Sequence, residues 1–285
     1  MSHVSYYISQ LFDDNLSIEQ FEYKIVNFVD LLNRLTEHQD TIRVPLDLYE
    51  NRLVGSITVS EYLFKPEHAS DARELLFETI TKLGTESIEF RELYELLDSK
   101  SNDSYKALAG MTENKYINEQ QLYVNHETQM LFPYRYYLGK SITLDGFKMM
   151  YKKCFPALAF HERTSGTLNA FHNITEHSKE LIRHLSVLND YVKDLYTETG
   201  GDNEEVFRIL KSRFDIYSSG RGSNEGLNNF RCSFPNSRKV LEEVRFNPHT
   251  KLYTEYSDFR IYFNWGRESI ENGKILIGHI GGHWN

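Results

Sequence analysis

The side chains best suited to chemistry at neutral pH gather near the end of the sequence. His279 and His283 stand four apart, with Gly281 and Gly282 between them. Imidazole is the side chain whose ordinary pKa lies closest to neutrality. Two imidazoles that meet in a turn can act as acid and base or share a metal, and the glycine pair would let a phosphate approach the backbone. The plainer reading is that both histidines finish an edge strand, with Trp284 packing back on the sheet. Arg260 brings a permanent positive charge to the preceding apolar stretch. Its plainer reading is a cross-strand ion pair with Asp258 or Glu255.

Other constellations are weaker. His177, Glu180 and His184 fall at i, i+3 and i+7, one face of a helix, and could hold a metal. Their offset from the apolar stripe predicts a solvated, charged face instead. Arg221-Gly222-Ser223 has neither the pattern nor the flanking elements of a phosphate loop and reads as a linker. Cys154, on an apolar helix face, reads as core. Tyr134, Arg135, Tyr136 and Tyr137 could stack bases, or could be an aromatic strand packed on a helix.

The stretch Ser257-Asp258-Phe259-Arg260-Ile261-Tyr262-Phe263, then Gly273-Lys274-Ile275-Leu276-Ile277-Gly278-His279-Ile280-Gly281-Gly282-His283, resembles the last two strands of RelE/HigB-type toxins. Those strands carry an Arg within an aromatic–aliphatic strand, a Gly-Lys turn, and an aliphatic strand ending in His or Lys. The resemblance covers about the last 30 residues. It implies a small twisted sheet that binds RNA, often on the ribosome, and cleaves it by activating a 2′-hydroxyl against the neighbouring phosphate. That chemistry needs a base, an acid and cations around the phosphorane. The resemblance implies catalytic roles for Arg260, His279 and His283; the same strands offer Lys274 and Tyr262 for substrate, and the earlier strand 239–246 offers Arg245. Neither a metal nor a cofactor is expected.

Composition narrows the class. With 40% hydrophobic and 26% charged residues the chain is globular. The net charge of −9 argues against a general nucleic-acid coat protein. The charge is unevenly spread. Residues 1–199 hold 20 Lys and Arg against 30 Asp and Glu, whereas residues 200–285 hold 12 against 11. If any part meets phosphate, it is the C-terminal part. The start, Met1-Ser2-His3-Val4, has no basic or apolar leader, and no apolar run is long enough to span a membrane. Two distant cysteines, Cys154 and Cys232, give no disulfide framework, so a cytoplasmic protein is expected.

The expected fold class is α+β: a helix-rich N-terminal region with short strands (1–155), a long central helix (156–199) and a C-terminal antiparallel β-sheet module (200–285). Helices are expected over 17–38, opened by a Ser17/Gln20 capping box, from Ser70 to Gly84, and over 88–97, 144–154 and 204–214. Short strands are expected at 41–46, 53–59, 121–124 and 130–137. Leu168, Phe171, Ile174, Leu181, Leu185, Leu188, Val192 and Leu195 predict one helix over 167–196, a scaffold spine or oligomerisation surface. Residues 98–118 and 218–226 read as loops. Beyond them a period of two predicts a meander of five strands at 230–234, 239–246, 251–253, 259–264 and 274–280.

Two functions follow as expectations. One is a toxin or anti-phage defence effector acting on RNA or the ribosome, checked by its acidic N-terminal region. The other is a non-catalytic adaptor that binds a protein partner or forms a homo-oligomer.

Overall fold

A computed structural model describes residues 3–9, 17–65, 67, 70–99, 104–220 and 230–284. The expected linker at Arg221–Gly226 lies outside the described residues, as do residues 100–103 of the expected polar loop. The chain is a mixed α+β protein with antiparallel strands toward its end. It divides into two compact units, Met1–Tyr137 and Leu138–Asn285. No helix among the described residues is long and apolar enough to cross a membrane.

The first unit is built on a parallel sheet. Its strands are β1 (Ser5–Ile8), β2 (Thr41–Pro45), a small hairpin β3 (Arg52–Val54) and β4 (Ile57–Thr58), β5 (Gly84–Glu86), β6 (Lys106–Ala109) and β7 (Tyr123–Val124). Its helices are α1 (Ile18–Glu37), α2 (Val59–Phe64), α3 (Asp71–Thr81), α4 (Phe90–Leu97) and α5 (Phe132–Gly139). The sheet order is β5-β2-β1-β6-β7, with every pair parallel. The strands contribute buried Tyr6, Ile8, Ile42, Val44, Ala107 and Leu108, as expected of a sheet packed on both faces. Helix α1 opens on the capping box of Ser17 and Gln20 and buries Phe21, Ile25, Phe28, Leu32 and Leu35. Ser70 caps α3, which stops at Thr81, ahead of Gly84.

Residues 130–137, expected as a strand, form the start of α5. Pro133 sits in the first helical turn, where its missing N–H costs nothing. Tyr134, Tyr137 and Leu138 then recur at helical spacing and are buried. The strand expected at 121–124 shrinks to Tyr123–Val124 behind a 3-10 turn.

The second unit begins with α6 (Leu144–Cys154), capped by Thr143, and β8 (Leu158–Phe160). Then come α7 (Thr164–Thr167), α8 (Ile174–Asp190), α9 (Val192–Glu198) and α10 (Asn203–Phe214), the last capped by Asp202. Its strands are β9 (Tyr217–Ser219), β10 (Arg231–Pro235), β11 (Leu241–Arg245), β12 (His249–Lys251), β13 (Arg260–Asn264) and β14 (Ile275–Gly281).

The apolar stripe over 167–196 is real, yet the helix is divided. Asn173 leaves helical geometry, its side chain bonding Thr175 Oγ1 at 2.7 Å and Glu176 Oε1 at 2.5 Å. Such local bonds compete with the helix. A second break falls at Tyr191, between α8 and α9.

The expected five-strand meander separates into two layers. One sheet has the order β8-β14-β13-β12-β9, while β10 and β11 pair only with each other. The hairpin buries Cys232, Phe234, Val244 and Phe246 against Tyr262, Leu276 and Trp284 instead of extending the sheet. Gly278 permits this, because a Cβ there would lie 2.8 Å from the Phe246 ring. The expected boundaries at 155/156 and 199/200 give way to the one at 137/138. Strand β8 pairs in parallel with β14, and His184 of α8 bonds Thr250 of β12, so helices and sheet form one body.

Candidate anion-binding face of the C-terminal sheet

Antiparallel pairing puts two rows of side chains on the face of this sheet that the hairpin partly covers. One row runs Ser219, His249, Tyr262, His279 across β9, β12, β13 and β14. The next runs Tyr217, Lys251, Arg260, Gly281. Leu252 N–H donates to Phe259 O at 3.0 Å and Phe263 N–H to Pro248 O at 2.9 Å. The intervening pair Lys251/Arg260 is therefore non-hydrogen-bonded, the kind whose side chains lie closer, with Cα atoms about 4.5 Å apart.

Two cations thus stand directly opposite one another, an arrangement that destabilises a strand pair. Both are half-buried, and among the described residues neither makes an ion pair. The buried Nε of Arg260 has no hydrogen-bond partner. The ion pair that Asp258 or Glu255 could supply is absent among the described residues; both acids are exposed.

His279 is 8% exposed and stacks on Trp284 at 5.2 Å and 14°. Its Nε2 lies 2.8 Å from the carbonyl oxygen of Gly282, which can only accept. Nε2 therefore carries the proton and Nδ1 presents a lone pair, buried and unpartnered. Burial, helped by the nearby Arg163 and His283 charges, pushes its pKa down to about 4. Tyr262 is fully buried and its hydroxyl has no partner. Its ring lies 5.6 Å from that of His279 and 6.5 Å from that of the exposed His283. Arg163 completes the surroundings, its guanidinium 4.4 Å from the Trp284 ring.

Of the residues expected at a site, the fold brings together Arg260, Tyr262, His279 and His283. Tyr262 lies beneath the hairpin, where a surface-bound substrate does not reach it. Lys274 is not with them: it precedes the far end of β14, where it pairs with Glu271 at 3.4 Å. Arg245 is exposed on the outer face of the hairpin, opposite Arg231, because alternation turns Val244 and Phe246 inward. Sequence reasoning missed Lys251, His249 and Ser219. The alternation His249, Lys251 after the Asn247-Pro248 turn was the available signal.

The expected solvated face of His177, Glu180 and His184 is a packing face. His184 is fully buried, with Nδ1 2.9 Å from Thr250 Oγ1 and Nε2 3.2 Å from Glu180 Oε1. Glu180 also accepts from Arg183 at 2.7 Å and from Tyr253 N–H at 2.8 Å. Burial alone would raise the Glu180 pKa, but these hydrogen bonds hold it far below the usual carboxylate range. No group of three or more His, Cys, Asp or Glu among the described residues could hold a metal ion. Cys154 is core, as expected, and burial pushes the Cys232 thiol up, away from reactivity.

The first unit offers a different kind of place. Its strand order reverses between β1 and β6, the point where open parallel sheets hold ligands. A cleft of about 590 Å³ opens there, lined by Gln20, Tyr23, Lys24, Asn27, Phe28 and Met111, together with Glu19. Among the described lining residues Glu19 and Lys24 balance.

Compared with known protein families, curated proteins and solved structures, the chain shows no match.

Proposed function

We propose that this protein is an effector, a toxin or defence protein, that acts on RNA in the cytoplasm through its C-terminal sheet. The observation that carries this reading is the Lys251/Arg260 pair. Two unneutralised cations on adjacent strands are costly alone and are satisfied by bridging a phosphate. Exposed His283 and the Gly281-Gly282 backbone stand at the end of β14, where Gly281 pairs with Arg260. The likeness of the last two strands to RelE/HigB-type toxins agrees with this reading and points to translation as the target. The N-terminal unit, which carries all of the acidic excess, regulates the effector.

Fluorescence anisotropy with single-stranded RNA tests the reading. Each lost phosphate contact lowers the salt dependence of binding by about 0.7. Lys251→Ala/Arg260→Ala removes the one bridged phosphate and should therefore weaken RNA binding and flatten log K against log salt by about 0.7. Wild-type protein that binds no RNA at low salt rejects the proposal. One observation favours the second reading, a non-catalytic adaptor: the burial of Tyr262 and His279 leaves the sheet more scaffold than active site. Expressing wild type and Arg260→Ala/His283→Ala, with growth and RNA integrity followed together, separates the two. RNA loss that disappears in the variant belongs to the effector, and intact RNA in both belongs to the adaptor.

A further inference from the structure

Ser219 and His249 face one another on β9 and β12, with Ser219 Oγ 3.1 Å from His249 Nε2. His249 Nδ1 lies 3.3 Å from the carbonyl oxygen of Asn247, an atom that can only accept. Nδ1 therefore holds the ring proton, Nε2 presents its lone pair, and the Ser219 hydroxyl donates to it. A hydroxyl bonded to a base that is itself oriented by a third group is the arrangement of an activated nucleophile. The surroundings extend it. On the same face, Lys251 lies two residues along β12 from His249, and Arg260 stands opposite Lys251. The side-chain amide of Asn247 flanks the residue after the serine, where a Cβ on Gly220 would lie 3.8 Å from its Nδ2. One face thus carries a half-buried hydroxyl, a buried base, two half-buried cations without acids and an amide donor.

We propose that Ser219 is a nucleophile toward a phosphodiester held by Lys251 and Arg260, with His249 as its base. This rests on the RNA reading and gives it a mechanism different from 2′-hydroxyl attack. Ser219 Oγ forms a bond to phosphorus as the bond from phosphorus to the leaving ribose oxygen breaks. The serine proton passes to His249 Nε2 and from there to the leaving oxygen. Water then attacks the phosphoserine, giving its proton to His249. The phosphorus–Oγ bond breaks, Ser219 recovers a proton from His249, and the phosphate-ended strand leaves. Lys251 and Arg260 neutralise the charge that builds on the pentavalent phosphorus. Because the nucleophile comes from the protein, a strand without a free 2′-hydroxyl remains a substrate.

The full-length protein is incubated with a fluorophosphonate probe. It is also incubated with a single-stranded RNA and with the 2′-O-methyl strand of the same sequence. The expected result is probe on Ser219 by peptide mass spectrometry and cleavage of both strands. Both signals should be lost in Ser219→Ala, and reduced about 100-fold or more in His249→Gln, at unchanged melting temperature. Cleavage of the 2′-hydroxyl strand alone, with Ser219→Ala as active as wild type, overturns the inference and leaves the RNA reading standing. Binding without cleavage or labelling also overturns it. Failure to bind either strand overturns both.

Discussion

At the proposed RNA site, position 251 can serve stability or binding but not both. A carboxylate at 251 would turn the cross-strand repulsion into an attraction. Lys251→Glu is therefore expected to raise stability by about 0.5 kcal/mol while abolishing RNA binding. Denaturant melts and anisotropy on one sample check the opposite signs. His279 reports on the same face through pH. Its folded pKa is about 4 against an ordinary 6.5, mainly because it is buried. The unfolded chain thus binds more protons between those values. The His279 contribution to stability is complete above pH 6.5 and is lost as the pH falls toward 4. His184, also lowered by burial, adds a loss of the same sign. His279→Phe should keep the stacking on Trp284 and lose stability less steeply over that range, as urea melts at several pH values would show.

At the scale of elements, local signals were legible and pairing was not. The Ser17/Gln20 box, the Ser70 and Asp202 caps and the span of α6 follow from side chains that bond the neighbouring backbone. Strand β1 was not legible. It is four residues long, and its Tyr6 and Tyr7 are both buried, so it carries no alternation. Tyr7 bonds Glu86 at 2.6 Å, a partner that no local window contains. Helix α5 departs from the expected strand because the strand propensity of Tyr134, Tyr136 and Tyr137 is overridden by tertiary packing. Of the candidate site, Arg260, His279 and His283 could be singled out by residue type alone. Their true company, Lys251, His249 and Ser219, depends on register, and register is set by contacts far apart in sequence. The layer formed by β10 and β11 can be tested through Phe246, fully buried over Gly278. Phe246→Ala should cost about 3–5 kcal/mol. Gly278→Ala, which forces a Cβ against that ring, should cost about 1–3 kcal/mol. Chemical denaturation of the two variants checks both values.

The whole molecule is two bodies of different construction: an all-parallel sheet before Leu138 and a mainly antiparallel one after it. A fragment of residues 200–285 would lack β8 and α8, and with them an edge strand and the Glu180–His184–Thr250 contact. Residues 138–285 are expected to fold and bind RNA, and residues 200–285 are not; circular dichroism and anisotropy on the two fragments would show it. The pairing of β8 with β14 joins residues 158–160 to residues 275–277. During synthesis this edge stays open until more than a hundred further residues have left the ribosome, long after the first unit can have formed. The proposed effector would be timed by its own translation. The face that would bind RNA cannot form until residues 275–277 have been made, and a chain released before them never acquires it.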